Sequence, residues 1–135
     1  DHRDLHSFPT RRSSDLAKHV NEAFTMRPIK GKLKPLMDNC KYPANCEMLC
    51  VPMVNSTLWN DIPKKAHHID LGLQEAQKAM IKAAQVLVLI TDDVLKAKTN
   101  KKPLTLSSYV GRLTNCLNFL GHTGYLTSLR RRDLL

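Results

Sequence analysis

The longest regular pattern of apolar positions in the chain runs from Pro63 to Lys98. Apolar residues recur there in alternating steps of four and three, which is the spacing of one face of an α-helix. We therefore predict one helix, roughly 50 Å long, with Asp61 as its N-cap and Pro63 near its first turn. The predicted buried seam consists of Ile69, Leu73, Ala76, Met80, Ala83, Leu87, Ile90 and Val94.

A second pattern of the same kind follows a short polar break, Thr99–Pro103. Because the break is short, the second helix is expected to lie antiparallel beside the first. Gly121 and Gly124 interrupt its leucines, and they either let the two long helices approach closely or bend the second one. The apolar positions of this helix are Leu106, Val110, Leu113, Leu117 and Leu120.

The remaining segments indicate an all-α domain in which a long antiparallel hairpin, 64–98 against 104–133, is covered by smaller elements. Short helices are predicted at 17–26 and within 29–42, followed by an irregular proline-containing segment at 43–54. Asn55 or Ser56 is expected to cap a further short helix. Trp59, the single tryptophan, is expected to hold that helix against the long one.

The two ends of the chain carry separate expectations. Residues 1–16, DHRDLHSFPTRRSSDL, resemble the translation of a sequencing adapter, so we expect a disordered extension foreign to the fold. Residues 17–135 then form a single helical domain. The last residues carry no helix-terminating signal, and we expect the natural chain to continue beyond them.

Charge adds a candidate site to this architecture. The chain has 21 Lys and Arg against 12 Asp and Glu, a formal net charge of +9, which fits an acidic partner such as RNA or DNA. An antiparallel hairpin brings the start of the first long helix to the end of the second. We therefore predict phosphate contact at Lys64, Lys65, Arg130, Arg131 and Arg132; a merely solvated charge cluster is the alternative.

Other chemistry is poorly supported by the sequence. Cys40, Cys46 and Cys50, with His67 or His68, are zinc-ligand types, but their gaps of five and three residues match no zinc signature and no second pair exists. We expect free thiols, no metal, no cofactor and no catalytic site. Apolar runs are too short to cross a bilayer, and we expect a protein of the cytoplasm or nucleus.

Several stretches resemble a family of invertebrate proteins associated with DIRS-like retrotransposons. They are VNEAF at 20–24, KLKPL at 32–36, PANCEMLCVPMVNSTLW at 43–59, DLGLQEAQKAMIKA at 70–83 and LRRRDLL at 129–135. The resemblance implies a Gag-like helical protein that self-associates, packages nucleic acid and lacks catalysis. A cellular adaptor that binds a partner helix, and a zinc-stabilised domain, are the alternatives.

Overall fold

Two long helices lie antiparallel and form the hairpin on which the other elements pack. The computed structural model describes residues 13–29 and 31–134. In chain order the helices are α1 (Ser14–Thr25), α2 (Leu33–Asp38), α3 (Ser56–Asp61), α4 (Lys64–Asn100) and α5 (Leu106–Leu134). All regular structure in the described residues is helical, which confirms the all-α prediction and the hairpin.

Polar contacts between α4 and α5 fix the register of the hairpin. The Thr123 hydroxyl donates to the Ala76 carbonyl at 2.9 Å, and the Cys116 thiol lies 3.6 Å from the Ala83 carbonyl. Near the loop, the Tyr109 hydroxyl donates to Asp93 at 2.9 Å. Residue numbers therefore decrease along α5 as they increase along the contacting part of α4, as an antiparallel pair requires.

The core of the domain lies where α5 meets the small residues of α4. Ala79, Ala83 and Phe119 are fully buried. Met37 of α2 joins the same cluster. Alanine at successive turns of α4 leaves room for the aromatic ring of Phe119, so that a ring fills the space between two closely packed helices.

The predicted seam of α4 is only partly correct. Ala76, Ala83 and Ile90 are buried as expected, but the four larger residues Leu73, Met80, Leu87 and Val94 are each 39–47% exposed. Three buried residues of α4 each directly precede one of the exposed ones, namely Gly72, Ala79 and Val86, and Ile81 and Gln85 are buried as well. Helix α5 packs against the side of α4 that carries Ala76, Ala79 and Ala83, and the exposed residues lie beside that contact.

The ends of α4 also differ from the prediction in one respect. Pro63 is the N-cap residue and supplies no side-chain hydrogen bond, while Asp61 belongs to α3; the predicted cap at Asp61 is therefore wrong. At the other end, Lys101 adopts the left-handed conformation with φ 54°, and its N–H bonds to the Ala97 carbonyl. Such a residue ends a helix, and the short loop follows.

Helix α1 begins earlier than predicted. The Ser13 hydroxyl accepts from the Leu16 N–H at 3.3 Å, and this cap starts the helix at Ser14 rather than near Ala17. The expectation of disorder is therefore wrong for 14–16, whereas residues 1–12 lie outside the described part of the chain.

The glycines of α5 do permit a close approach, but the neighbour is α1 rather than α4. A Cβ placed on Gly121 would overlap the carbonyl group of Ala23, and one on Gly124 would lie 2.8 Å from the Phe24 ring. Glycine at these positions is therefore what lets α1 pack directly on the backbone of α5.

The segment between α2 and α4 lies along the long helix. Gln85 of α4 donates to the Leu49 carbonyl at 3.1 Å, which ties the irregular segment down. Asn55 caps α3 by accepting from the Thr57 N–H at 2.9 Å, as predicted. Among the described residues, no helix is long and apolar enough to span a membrane.

Candidate nucleic-acid interface

The five predicted cations lie where α4 begins and α5 ends, and we call them the basic pole: Lys64, Lys65, Arg130, Arg131 and Arg132. The Arg130 guanidinium reaches the first turns of α4, with Nη1 3.5 Å from His68 Nε2. The last turn of α5 therefore lies beside the beginning of α4, as the hairpin prediction required.

Arg130 differs from the other four cations because its side chain is turned toward α4. Only 19% of that side chain is exposed. Its guanidinium crosses the helix at Gly72, where a Cβ would overlap it. Arg130 also forms an ion pair with Asp133 at 3.4 Å. Its main role in this structure is to pack the end of α5 onto α4, with the base of its guanidinium covering the glycine.

The other four cations of the basic pole face solvent. Lys64, Lys65, Arg131 and Arg132 are exposed, and none of them forms an ion pair with another described residue. The free N–H groups at the start of α4 add partial positive charge beside the two lysines. The two arginines oppose the partial negative charge at the end of α5, so the pole keeps a positive surface.

An aromatic pair that the sequence did not predict lies next to these cations. The rings of Trp59 and His67 stack with centroids 4.2 Å apart and planes 5° from parallel, and the His67 imidazole bonds to the Trp59 carbonyl. His67 lies in the first turn of α4, two residues after Lys65. Aromatic side chains next to cations are a common feature of surfaces that bind single-stranded nucleic acid.

One comparison with known proteins bears on the whole of this domain. A family model matches residues 12–135. The chain belongs to that family, which is described as Domain of unknown function (DUF8747). The matched span begins inside the segment 1–16 that the adapter resemblance marked as foreign. No curated protein and no solved structure matches the chain.

All four cysteines are free thiols, and Cys40 packs against the core cluster that contains Cys116. The Cys40 thiol donates to the Leu36 carbonyl at 3.0 Å, and the Cys50 thiol to the Glu47 carbonyl at 3.4 Å. No group of three His, Cys, Asp or Glu among the described residues is placed to hold a metal ion. Burial raises the pKa of the Cys40 thiol, which makes it a weaker nucleophile and a weaker ligand at neutral pH.

The carboxylate pair of α4 has two separate structural roles. Asp92 pairs with Lys96 one turn later at 2.8 Å. Asp93 accepts from Tyr109 at 2.9 Å and from Arg112 at 3.2 Å, so it links α4 to α5 near the loop. The hydrogen bond from Tyr109, followed by that from Arg112, lowers the pKa of the Asp93 carboxyl. This carboxylate is thus held in its charged form.

A cleft of about 410 Å³ lies between α1, the loop that follows it, α2 and α5. Its walls are mostly apolar, with one imidazole from each side, His19 and His122. His19 Nε2 and His122 Nδ1 are buried without a hydrogen-bond partner. Desolvation lowers the pKa of His122, so this imidazole is held neutral at physiological pH.

Proposed function

We propose that the domain is a non-enzymatic, Gag-like structural protein of a retroelement that self-associates and contacts RNA or DNA through the basic pole. The retroelement assignment rests on the sequence resemblance described above. The nucleic-acid contact rests on one structural observation, namely that Lys64, Lys65, Arg131 and Arg132 are exposed and form no ion pair with the described residues. Unpaired cations on one surface attract phosphates and release counterions when they bind them.

The net charge of +9 supports the same function. A chain this basic is drawn to any polyanion, so the specific proposal is that contact is concentrated at one pole rather than spread over the surface. The stacked Trp59 and His67 pair adds an aromatic surface beside the first cations of α4. This arrangement suits single strands, whose bases are free to stack on a side chain.

The test compares two variants that remove equal charge. The pole variant changes Lys64, Lys65, Arg131 and Arg132 to Gln, while Arg130 is left in place because it packs on Gly72. The control changes four lysines at the other end of the hairpin to Gln: Lys96, Lys98, Lys101 and Lys102. Binding of labelled single-stranded RNA and DNA is followed by fluorescence anisotropy over a range of salt concentrations.

We expect the pole variant to bind more weakly and with a smaller salt dependence. Each lost phosphate contact reduces the slope of log K against log salt by about 0.7 for single strands, so four contacts reduce it by roughly 3. The control should keep nearly the wild-type slope. If both variants lose affinity and slope equally, diffuse charge attraction explains the binding, and the basic pole is not an interface.

A helical adaptor is the second candidate, and one observation favours it. Large apolar side chains are exposed along both long helices, including Leu87 at 39% and Val110 at 63%. An adaptor of this kind would bind another protein through those side chains and would show no salt-dependent affinity for RNA or DNA. The anisotropy measurement therefore separates the two functions.

A further inference from the structure

Four large apolar side chains form an exposed stripe along α4. Leu73, Met80, Leu87 and Val94 are spaced seven residues apart, and each is 39–47% exposed. On α5, Leu106, Val110 and Leu113 are spaced by four and three, and they are 43–75% exposed. Residues at these spacings lie on one side of each helix. Both long helices therefore carry an apolar stripe that α1, α2 and α3 leave open to solvent.

The two stripes lie on the same side of the hairpin. In α4 the exposed Leu87 directly follows the buried Val86. In α5 the exposed Val110 directly follows Tyr109, which contacts Asp93 of α4. The two exposed stripes are thus rotated in the same sense from the contact between the helices, by about 100°. In antiparallel helices, rotations of the same sense lead to the same side.

The two stripes also lie at matching positions along the axis of the hairpin. The contact of Cys116 with Ala83 places Leu113 beside Leu87, and the contact of Tyr109 with Asp93 places Leu106 near Val94. We call this surface the uncharged face. On the same side of α4, one turn after each of the first three large residues, lie Gln77, Ala84 and Thr91. Next to the large residues of α5 lie Ser107, Gly111 and Thr114. No charged residue falls among them, although 24% of the chain is charged.

We propose that the uncharged face is where two copies of the domain associate, face to face, into a four-helix bundle. Depletion of charge is the compositional mark of interface cores. Two copies of net charge +9 repel each other, and contact through this face adds no direct contact between like-charged side chains of the stripes. Large side chains alternate with small ones along it, so that two such faces can interdigitate.

The size of the face supports a dimer of modest affinity. Complete burial of its seven large side chains on both copies sets an upper limit of roughly 1,200 Å², at the lower end of the range for specific interfaces. A twofold axis in the contact plane places each copy's face on that of its partner, which is the usual geometry of homodimers. The inference deepens the self-association in the proposed function and does not involve the basic pole.

The test is sedimentation equilibrium of the full chain, freed of nucleic acid, from low micromolar to several hundred micromolar concentration. We expect a reversible dimer. Leu87→Glu introduces one charge from each copy into the contact, so the dissociation constant should rise by about 100-fold or more. Val110→Glu is the second variant because Val110 is 63% exposed, and a charge there leaves the monomer fold intact.

Met48→Glu is the matched control, since Met48 is 94% exposed and lies outside the uncharged face. It should dimerise as the wild type does. A wild-type chain that stays monomeric throughout, or a dimer unchanged by both face variants, would overturn the inference. A monomer that still binds RNA through the basic pole would refute only this dimer. A dimer without RNA affinity would refute only the nucleic-acid contact.

Discussion

The packing of α1 on α5 depends on Gly121, and replacing this residue by alanine tests the fold directly. A Cβ there would lie 2.7 Å from the Ala23 Cβ and closer still to the Ala23 carbonyl group. The obstructing carbonyl belongs to backbone, which cannot rotate aside, so α1 must shift as a whole or separate from α5. Overpacking of this kind costs about 1–3 kcal/mol, even though alanine is favoured over glycine by about 1 kcal/mol in a helix interior.

Gly111 provides a matched control in the same helix. A Cβ there meets nothing within 4 Å, so Gly111→Ala should stabilise the domain by up to about 1 kcal/mol. At about 4 °C per kcal/mol for a domain of this size, we expect Gly121→Ala to lower Tm by roughly 4–12 °C and Gly111→Ala to raise it slightly.

Thermal and urea unfolding followed by circular dichroism at the helix band provide the measurement. Gly72→Ala is an informative third variant, because the group in the way is the end of the flexible Arg130 side chain. That side chain can swing out, so the loss of its packing and the gain in helix propensity should nearly cancel. A Gly121→Ala variant as stable as Gly111→Ala, with undiminished helix content, would show that α1 does not depend on this close approach.

Three further predictions concern side chains that join separate elements. Trp59→Ala should cost about 2 kcal/mol in urea unfolding, below the 3–5 kcal/mol of a fully buried aromatic, because Trp59 is half-buried and stacks on His67; a loss of 4 kcal/mol or more would contradict this. Asp93→Asn should lower Tm at pH 7. The hydrogen bonds that lower the pKa of Asp93 stabilise the fold only while its carboxyl is charged. The difference in Tm from wild type should therefore shrink as pH falls below about 4. A constant difference down to pH 2 would exclude that linkage. Because the pKa of His122 is lowered in the folded protein, the imidazole of the unfolded chain is protonated first as pH falls. Wild type should therefore lose stability below about pH 6.5, and His122→Gln should lose less. Equal losses in the two proteins would be evidence against a buried neutral imidazole.

The element order was predictable because long apolar periodicity and short polar breaks are local properties of the chain. The sequence therefore predicted both long helices to within about three residues of their ends. The face that α4 buries was not predictable in the same way. Both the large stripe containing Leu87 and the small one containing Ala79 have helical spacing, and only the approach of α5 decides between them.

The basic pole was likewise only partly predictable from the sequence. The hairpin topology brings its cations to one end of the domain, and that consequence follows from antiparallel helices alone. The inward turn of Arg130 depends on Gly72, 58 positions earlier in the chain, and no local pattern links the two. The stacking of Trp59 on His67 likewise joins α3 to α4, and no local pattern in the sequence predicts it.

Helix α1 contains no buried residue, although it packs on α5 at Gly121 and Gly124. Its backbone hydrogen bonds are therefore protected only by its contact with α5, whereas those of the hairpin are protected by the core. Such a helix can detach while the rest stays folded, at a free energy well below that of global unfolding. Amide hydrogen exchange should then separate into two classes, with the first helix exchanging through a partial opening and the hairpin exchanging only when the whole domain unfolds.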